Sequence, residues 1–484
     1  MKFTACSKTC ALVLLCAGTA IVSQAQNFKT LVIFNSYNGA SPGNEALVQG
    51  ANGNLFGTTS GGPNENGTVF EMTPNGRLVT LHNFCSQPNC ADGWQPLSGL
   101  VLASDGKFYG TTSGGGQDGC CGTIFNVSAH AQLTTLYSFC WDCAGPSDVL
   151  APLVQAVDRS FYSTTNEGGG FNEGTVYNIT PAGEVTTLHS FSCSDGNGCF
   201  PTTRPVQATD GDFYGTTSGT VFKITPHGTL TTLYKFCSQP NCADGSNPSA
   251  LIQALDGNFY GTTSAGGVSG VEPCYWEGCG TIFKVTPDGV LTTLYSFCPN
   301  APDCPDGTTP TAGLVQATDG NFYGTTTSGG SNNGGTIFQI TPSGRLTTLY
   351  SFCSQPNCKD GTGASWLYQH TDGTFFGTTS IGGDYRCQAP YAPGCGTVFS
   401  LSTGLGPFVT FVRPAGKIGE TGGILGQGFT GTTSVELNGT PAQFDVVSDT
   451  YLTATVPAGA TTGFVTVTTP TGVLTSNVPF HVIP

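Results

Sequence analysis

Basic side chains are scarce in this chain. It carries 15 Lys and Arg against 30 Asp and Glu in 484 residues, a formal net charge of −15, and only 9% of its residues are charged. So acidic a surface repels nucleic acid and anionic lipid, and neither is an expected partner. Long apolar runs are nearly absent. Ala11 to Val22 is the one that stands out, and it is too short to span a bilayer. It follows Lys2 and Lys8 and precedes Ser23-Gln24-Ala25, small residues at the two positions that signal peptidase reads. Residues 1–25 therefore read as a signal peptide, and losing those two lysines takes the charge from −15 to −17. No long segment repeats its apolar residues with a helical period, which excludes a helical bundle. Also missing are a glycine-rich phosphate loop beside a helix, a nucleophile elbow and a His pair with metal-ligand spacing, so no metal or cofactor is expected. The six histidines are scattered over strands and turns, where a structural role is expected and no catalytic residue is assigned.

What is abundant is glycine (70), proline (30) and β-branched runs, the composition of an all-β chain. Those runs repeat. Phe108-Tyr109-Gly110-Thr111-Thr112 has equivalents beginning at Leu55, Phe161, Phe213, Phe259, Phe322 and Phe375. A Gly-Thr-(Ile/Val)-(Phe/Tyr) motif begins at Gly67, Gly122, Gly174, Gly219, Gly280, Gly335 and Gly396. Runs of the form Leu-Thr-Thr-Leu-Tyr-Ser-Phe end at Phe84, Phe139, Phe191, Phe236, Phe297 and Phe352, and a Leu-Val-Gln-Ala run precedes each Phe-Tyr-Gly-Thr-Thr. Each unit thus holds four short strands, a to d, with Asp-Gly between a and b and Thr-Pro-x-Gly between c and d, both turn formers. Four antiparallel strands in about 50 residues is the size of a propeller blade. Seven units predict a seven-bladed β-propeller over residues 27–403. Strand d follows strand c only six times. The missing copy is Phe28–Phe34, expected to pair with Gly396–Leu401 and close the ring.

The units Asp-Gly-Asn-Phe-Tyr-Gly-Thr-Thr, Gly-Thr-Ile-Phe-Lys-(Ile/Val)-Thr-Pro and Leu-Thr-Thr-Leu-Tyr-Ser-Phe resemble the bacterial choice-of-anchor tandem repeat proteins, or GloVer repeats. The resemblance runs from about Phe28 to Ser402. It implies an exported protein with a variable C-terminal sorting module, and it carries over no catalytic residue. From Gly406 the repeat stops. Pro407-Phe408-Val409, Gly426-Gln427-Gly428-Phe429, Val435-Glu436-Leu437-Asn438-Gly439 and Gly463-Phe464-Val465-Thr466-Val467 resemble an IPT/TIG domain, which implies an immunoglobulin-like β-sandwich over residues 406–484.

In a propeller the a–b and c–d turns share one end, here uniformly tight and expected to lack a cavity, while the b–c and d–a loops share the other and vary in length. All 18 cysteines that remain after the signal lie in the variable loops. Local pairing predicts Cys85–Cys90, Cys140–Cys143, Cys193–Cys199, Cys237–Cys242, Cys274–Cys279, Cys298–Cys304, Cys353–Cys358 and Cys387–Cys395, as expected of an exported chain. Cys120 and Cys121 share a unit with Cys140 and Cys143, so these four are open to cross-pairing or to zinc as four thiolates. Trp94, Trp141, Tyr275, Trp276, Trp366, Tyr385 and Tyr391 fall on the same end, where flat rings suit stacking on sugar or peptide; an equal alternative is that they plug loop cores. Arg204 and His370 break the strand-a pattern and are the first suspects for any chemistry. These features point to an exported, non-catalytic binding or surface protein taking glycan or cell-wall polymer. A hydrolase or lyase on polysaccharide is the alternative, and a structural spacer the third.

Overall fold

The computed structural model describes residues 26–43, 46–117, 121–139, 145–268, 270, 274, 278–389 and 392–483. Among these, the repeats build seven antiparallel sheets in strand order a-b-c-d; the first and fifth gain a short extra strand, Ala40–Pro42 and Ser246–Pro248, beside b. Sheet 6 shows the plan: Val315–Gln316, Phe322–Thr326, Thr336–Ile340 and Leu346–Ser351. The N-terminal strand, Asn27–Ile33, supplies strand d of sheet 7, pairing antiparallel with Thr397–Ser402 from Asn27 opposite Ser402 to Ile33 opposite Thr397. The expected position of the displaced strand is therefore the observed one.

Strands b and c are almost wholly buried because neighbouring sheets cover both their faces. The strand-b motif explains how. The second ring of one sheet stacks on the first ring of the next, as in Phe56 on Phe108, Tyr109 on Phe161, Tyr162 on Phe213, Tyr214 on Phe259, Tyr260 on Phe322 and Tyr323 on Phe375, with centroids 4.0–4.3 Å apart. Where sheet 7 meets sheet 1, Phe376 and Leu55 share one apolar cluster. The motif glycine makes room for the strand-c phenylalanine: a Cβ at Gly324 would lie 2.6 Å from the Phe338 ring. The second motif threonine bonds to the threonine that opens strand c in every unit, from Thr59 with Thr68 to Thr379 with Thr397.

A glutamine of strand a ties five of the seven sheets to the one before; in sheet 7, Gln369 reaches only Thr318 Oγ1, through Nε2 at 3.5 Å. Backbone N–H groups of Ser104, Val157, Thr209 and Leu255, all in a–b turns, donate to Oε1 of Gln155, Gln207, Gln253 and Gln316 at 2.9 Å. Thr371 N–H donates likewise to Gln49 at 3.0 Å, joining sheet 7 to sheet 1. His370 serves the same seam: it is buried, and its Nε2 donates to Gly53 O at 3.0 Å. Sheet 2 breaks the series with Leu102 in place of glutamine.

Beyond residue 406, one sheet contains Thr410–Phe411, Thr421–Leu425, Tyr451–Thr455 and Phe444–Ser448, and another contains Thr440–Pro441, Ser434–Leu437, Val465–Thr469 and Gly472–Thr475. They enclose a common core that includes Ile424, Leu437, Leu452 and Val467. This C-terminal unit sits on the a–b turns. Leu425, Val412 and Tyr451 pack with Phe56, Leu102 and Phe108, so the missing glutamine leaves an apolar patch that the unit covers. Ser448 and Thr450 hydroxyls donate to Ala51 O at 3.2 and 2.8 Å, and Thr371 Oγ1 donates to Gly426 O.

Candidate functional site

Three of the variable loops share one build that begins in their sequence. Cys85-Ser86-Gln87-Pro88-Asn89-Cys90-Ala91-Asp92-Gly93 recurs at 237–245 and, with Lys359, at 353–361. Cys85, Asn89 and Cys90 all take positive φ, a tight coil that the short disulfide loop holds closed. Under it lies a buried carboxylate. Asp244 accepts from Tyr234 Oη at 2.8 Å, from Ser238 N–H and Oγ, and from Gln239 N–H. Asp92 and Asp360 repeat the arrangement, with His82 and Tyr350 from strand d as partners. The Cys-x-Asp-Gly spacing that marks these carboxylates is visible in the sequence, but sequence reasoning took repeated Asp-Gly only as an a–b turn. The b–c loops then lock onto the coil: Gly116, Gly267 and Gly383 N–H donate to the carbonyls of Cys90, Cys242 and Cys358.

Burial by itself would raise the pKa of Asp244 and of Asp92. The hydrogen bonds outweigh it and hold both carboxyls below their ordinary value of 3.8. Such groups add stability above the unfolded-state pKa and lose it as pH falls through the lower folded value. Acid titration is therefore expected to loosen these loops only below about pH 4. Asp244→Asn is expected to lower stability by about 1–3 kcal/mol at neutral pH and to flatten that acid limb, measured by thermal melts from pH 2 to 7.

Seven disulfides are formed among the described residues: Cys85–Cys90, Cys193–Cys199, Cys237–Cys242, Cys274–Cys279, Cys298–Cys304, Cys353–Cys358 and Cys387–Cys395. Cys121 is buried, while Cys120, Cys140 and Cys143 lie outside the described residues. The sulfurs of Cys279, Cys298 and Cys304 cluster within 4.8 Å, but they belong to two disulfides and offer no thiolate to a metal. No helix among the described residues is long and apolar enough to cross a membrane. The disulfides fit an extracellular or secreted protein.

The aromatic residues singled out from sequence meet different fates. Trp366 is only 6% exposed. It packs with Ala46, Ala250 and Ala312 of sheets 1, 5 and 6, and Arg204 of sheet 4 lies 5.9 Å from its ring centroid. A side chain that touches four other sheets stands on the common axis, so Trp366 plugs the opening and Arg204 caps it. Of the two readings open for this ring, stacking surface or plug, the small residues facing it favour the plug, since Gly313 also abuts the ring. Trp94 is half-buried against Gly114 of the neighbouring b–c loop. Tyr385 is exposed, and Trp141, Tyr275, Trp276 and Tyr391 lie outside the described residues.

Sequence reasoning passed over three exposed rings at the same end. Tyr37, Phe171 and Phe200 are 88%, 64% and 38% exposed, and with Tyr385 at 42% they are the exposed aromatic rings of the described repeats. All four lie in b–c or d–a loops. They form two groups: Ser36 contacts Cys387, joining the loops of Tyr37 and Tyr385, and Phe200 N–H donates to Glu173 O in the loop that carries Phe171. The opposite end, expected to lack a cavity, holds one: a cleft of 480 Å³ between the a–b turns of sheets 2 and 3 and the C-terminal unit.

Comparison with known proteins places this geometry. No functionally curated protein matches the chain. Streptogramin B lyase is similar over 78% of this chain and 97% of its own, with a TM-score of 0.52 and 14% identity, a likeness that shows a propeller-like all-β fold. Puromycin hydrolase (14% identity, 75% of this chain and 53% of that one, TM-score 0.41) and a gluconolactonase from Xanthomonas campestris (13%, 78% and 89%, 0.36) are also similar. The Gloeobacter/Verrucomicrobia repeat matches residues 18–219 and 216–440, and with most of its length so accounted for, the chain belongs to that tandem-repeat family.

Proposed function

We propose that this chain is exported through its N-terminal segment and folds as a seven-bladed β-propeller carrying an immunoglobulin-like IPT/TIG domain. On this reading it is a non-catalytic binding protein whose loop end takes glycan or cell-wall polymer. The observation that carries the proposal is that the exposed aromatic rings of the described repeats, Tyr37 with Tyr385 and Phe171 with Phe200, all lie in b–c or d–a loops, at the end where Trp366 fills the axis. Exposed rings suit stacking on the apolar faces of sugar residues in a long polymer. Among the described residues, Trp366 and Arg204 fill the axial opening, the place where a glycosidase would set its paired carboxylates.

The second reading, a propeller hydrolase or lyase acting on polysaccharide, draws support from the likeness to streptogramin B lyase, which reaches the fold alone. A glycan array combined with a product-release assay on the same polymers separates the two. Binding without release is expected. The doubly substituted Tyr37→Ala/Tyr385→Ala and Phe171→Ala/Phe200→Ala proteins are expected to keep their melting temperature and to lose about tenfold in affinity, the loss of one or two stacked rings. Release of oligosaccharide would favour the enzyme, and absence of any glycan binding would overturn the main reading.

A further inference from the structure

The cleft at the opposite end has the character of a second, independent binding site. Its floor is the a–b end of sheets 2 and 3, with Ser104, Asp105 and Gln155, and its wall is the outer face of the strands Thr421–Leu425 and Tyr451–Thr455. Neither part forms it alone, since the wall arrives only when Leu425 seats on Leu102. Concavities of this size at a junction between two packed units are where small ligands usually bind.

Its electrostatics narrow the ligand. Four formally charged side chains line it, two of each sign: Asp105 and Glu420, Arg159 and Arg413. They are already committed to one another or to the backbone. Glu420 accepts from Arg159 at 2.8 Å and from Arg413, and Lys417 N–H holds its other oxygen at 3.0 Å. Burial opposes ionisation of Glu420, yet these donors bring its pKa down to about 2, so the carboxylate stays charged and matched. Arg413 spends its other Nη on Val157 O, and Asp105 accepts from Lys107 N–H and Tyr109 Oη. Gln155 is likewise used on both ends. What is left facing the space is hydroxyl and apolar surface. Burial raises the Tyr451 pKa with no hydrogen bond contributing, and the Ser104 and Thr453 hydroxyls, Val412 and Phe480 complete the lining.

We infer that this cleft binds a small neutral polyhydroxylated ligand, a mono- or disaccharide. The charges lining the cleft sum to zero, with Glu420 matched by Arg159 and Arg413 and Asp105 held by N–H and O–H donors, so neither an anionic nor a cationic ligand meets a net opposite charge. Neutral phenol and hydroxyl groups beside apolar patches match the mixed faces of a pyranose. The site does not depend on the loop end, and the two fail separately.

Saturation-transfer NMR and calorimetry on the full chain would test it with glucose, N-acetylglucosamine and cellobiose, beside glucose 6-phosphate and glucuronic acid. At least one neutral sugar is expected to bind more tightly than both charged ones. Ser104→Trp, an exposed turn position that fills the cleft, is expected to abolish that binding. Tyr451→Phe, which keeps the ring, is expected to weaken it roughly fivefold, the worth of one hydrogen bond. Tyr37→Ala/Tyr385→Ala is expected to leave it unchanged. Three results would overturn the inference: no neutral sugar binds, a charged sugar binds better, or binding survives Ser104→Trp at full strength.

Discussion

A chain lacking residues 27–35 is expected to lose cooperative folding of the repeats, seen as a collapsed or absent thermal transition and strong binding of a hydrophobic dye. The segment places Phe34 at 0% and Val32 at 7% exposure in the cluster between sheets 7 and 1. Phe28 stacks on Tyr350 of sheet 6 with centroids 3.7 Å apart. Each fully buried Val or Phe is worth about 1.5–3 kcal/mol, so the pair in the cluster reaches roughly 3–6 kcal/mol before any strand hydrogen bond is counted. A domain holds a net stability of only about 5–15 kcal/mol. The deletion also bares the edge of Thr397–Ser402, an open template for aggregation. Phe34→Ala is the milder form, expected to cost about 3–5 kcal/mol. A deletion protein that melts as the parent does would show that the closing strand contributes little.

The second large effect is expected from Leu425→Asp. Leu425 and Ile424 are adjacent in one strand and point to opposite faces. Ile424 enters the core of the C-terminal unit, and Leu425 enters the patch formed by Phe56, Leu102 and Phe108. An aspartate there meets no cation, and its desolvation costs several kcal/mol. The unit's own core is untouched, so it should stay folded while leaving the a–b turns. Two calorimetric transitions should replace one, and protease should cut between residues 403 and 407, where Gly404-Leu405-Gly406 joins the parts. The polar bonds across the same junction, from Ser448 and Thr450 to Ala51, Thr371 to Gly426, Arg159 to Glu420 and Arg413 to Val157, are the competing anchor. Retention of a single transition would mean that the hydrogen bonds, not the apolar patch, govern docking.

Much of this protein is legible without coordinates because its interactions repeat in register. The count of Phe-Tyr-Gly-Thr-Thr and Gly-Thr motifs places strands b and c of each sheet, and a strand d missing at one end and present at the other locates the pairing of Asn27–Ile33 with Thr397–Ser402. Disulfide partners five to eight residues apart are legible for the same reason, since chain length alone brings them together. What sequence could not supply is the occupancy of shared space. Trp366 reads equally as an exposed ring or a plug until Ala250 and Gly313 of other sheets leave it the room on the axis to fill. Leu102 reads as one more apolar strand residue. Only in three dimensions does it become the single break in a glutamine series, matched by Leu425 more than 300 positions away. Local periodicity set the strands, turns and loop staples, because those depend on neighbours in the chain. The plugged axis, the docked C-terminal unit and the cleft beneath it were decided by tertiary structure, because each depends on which side chains from distant segments compete for one volume.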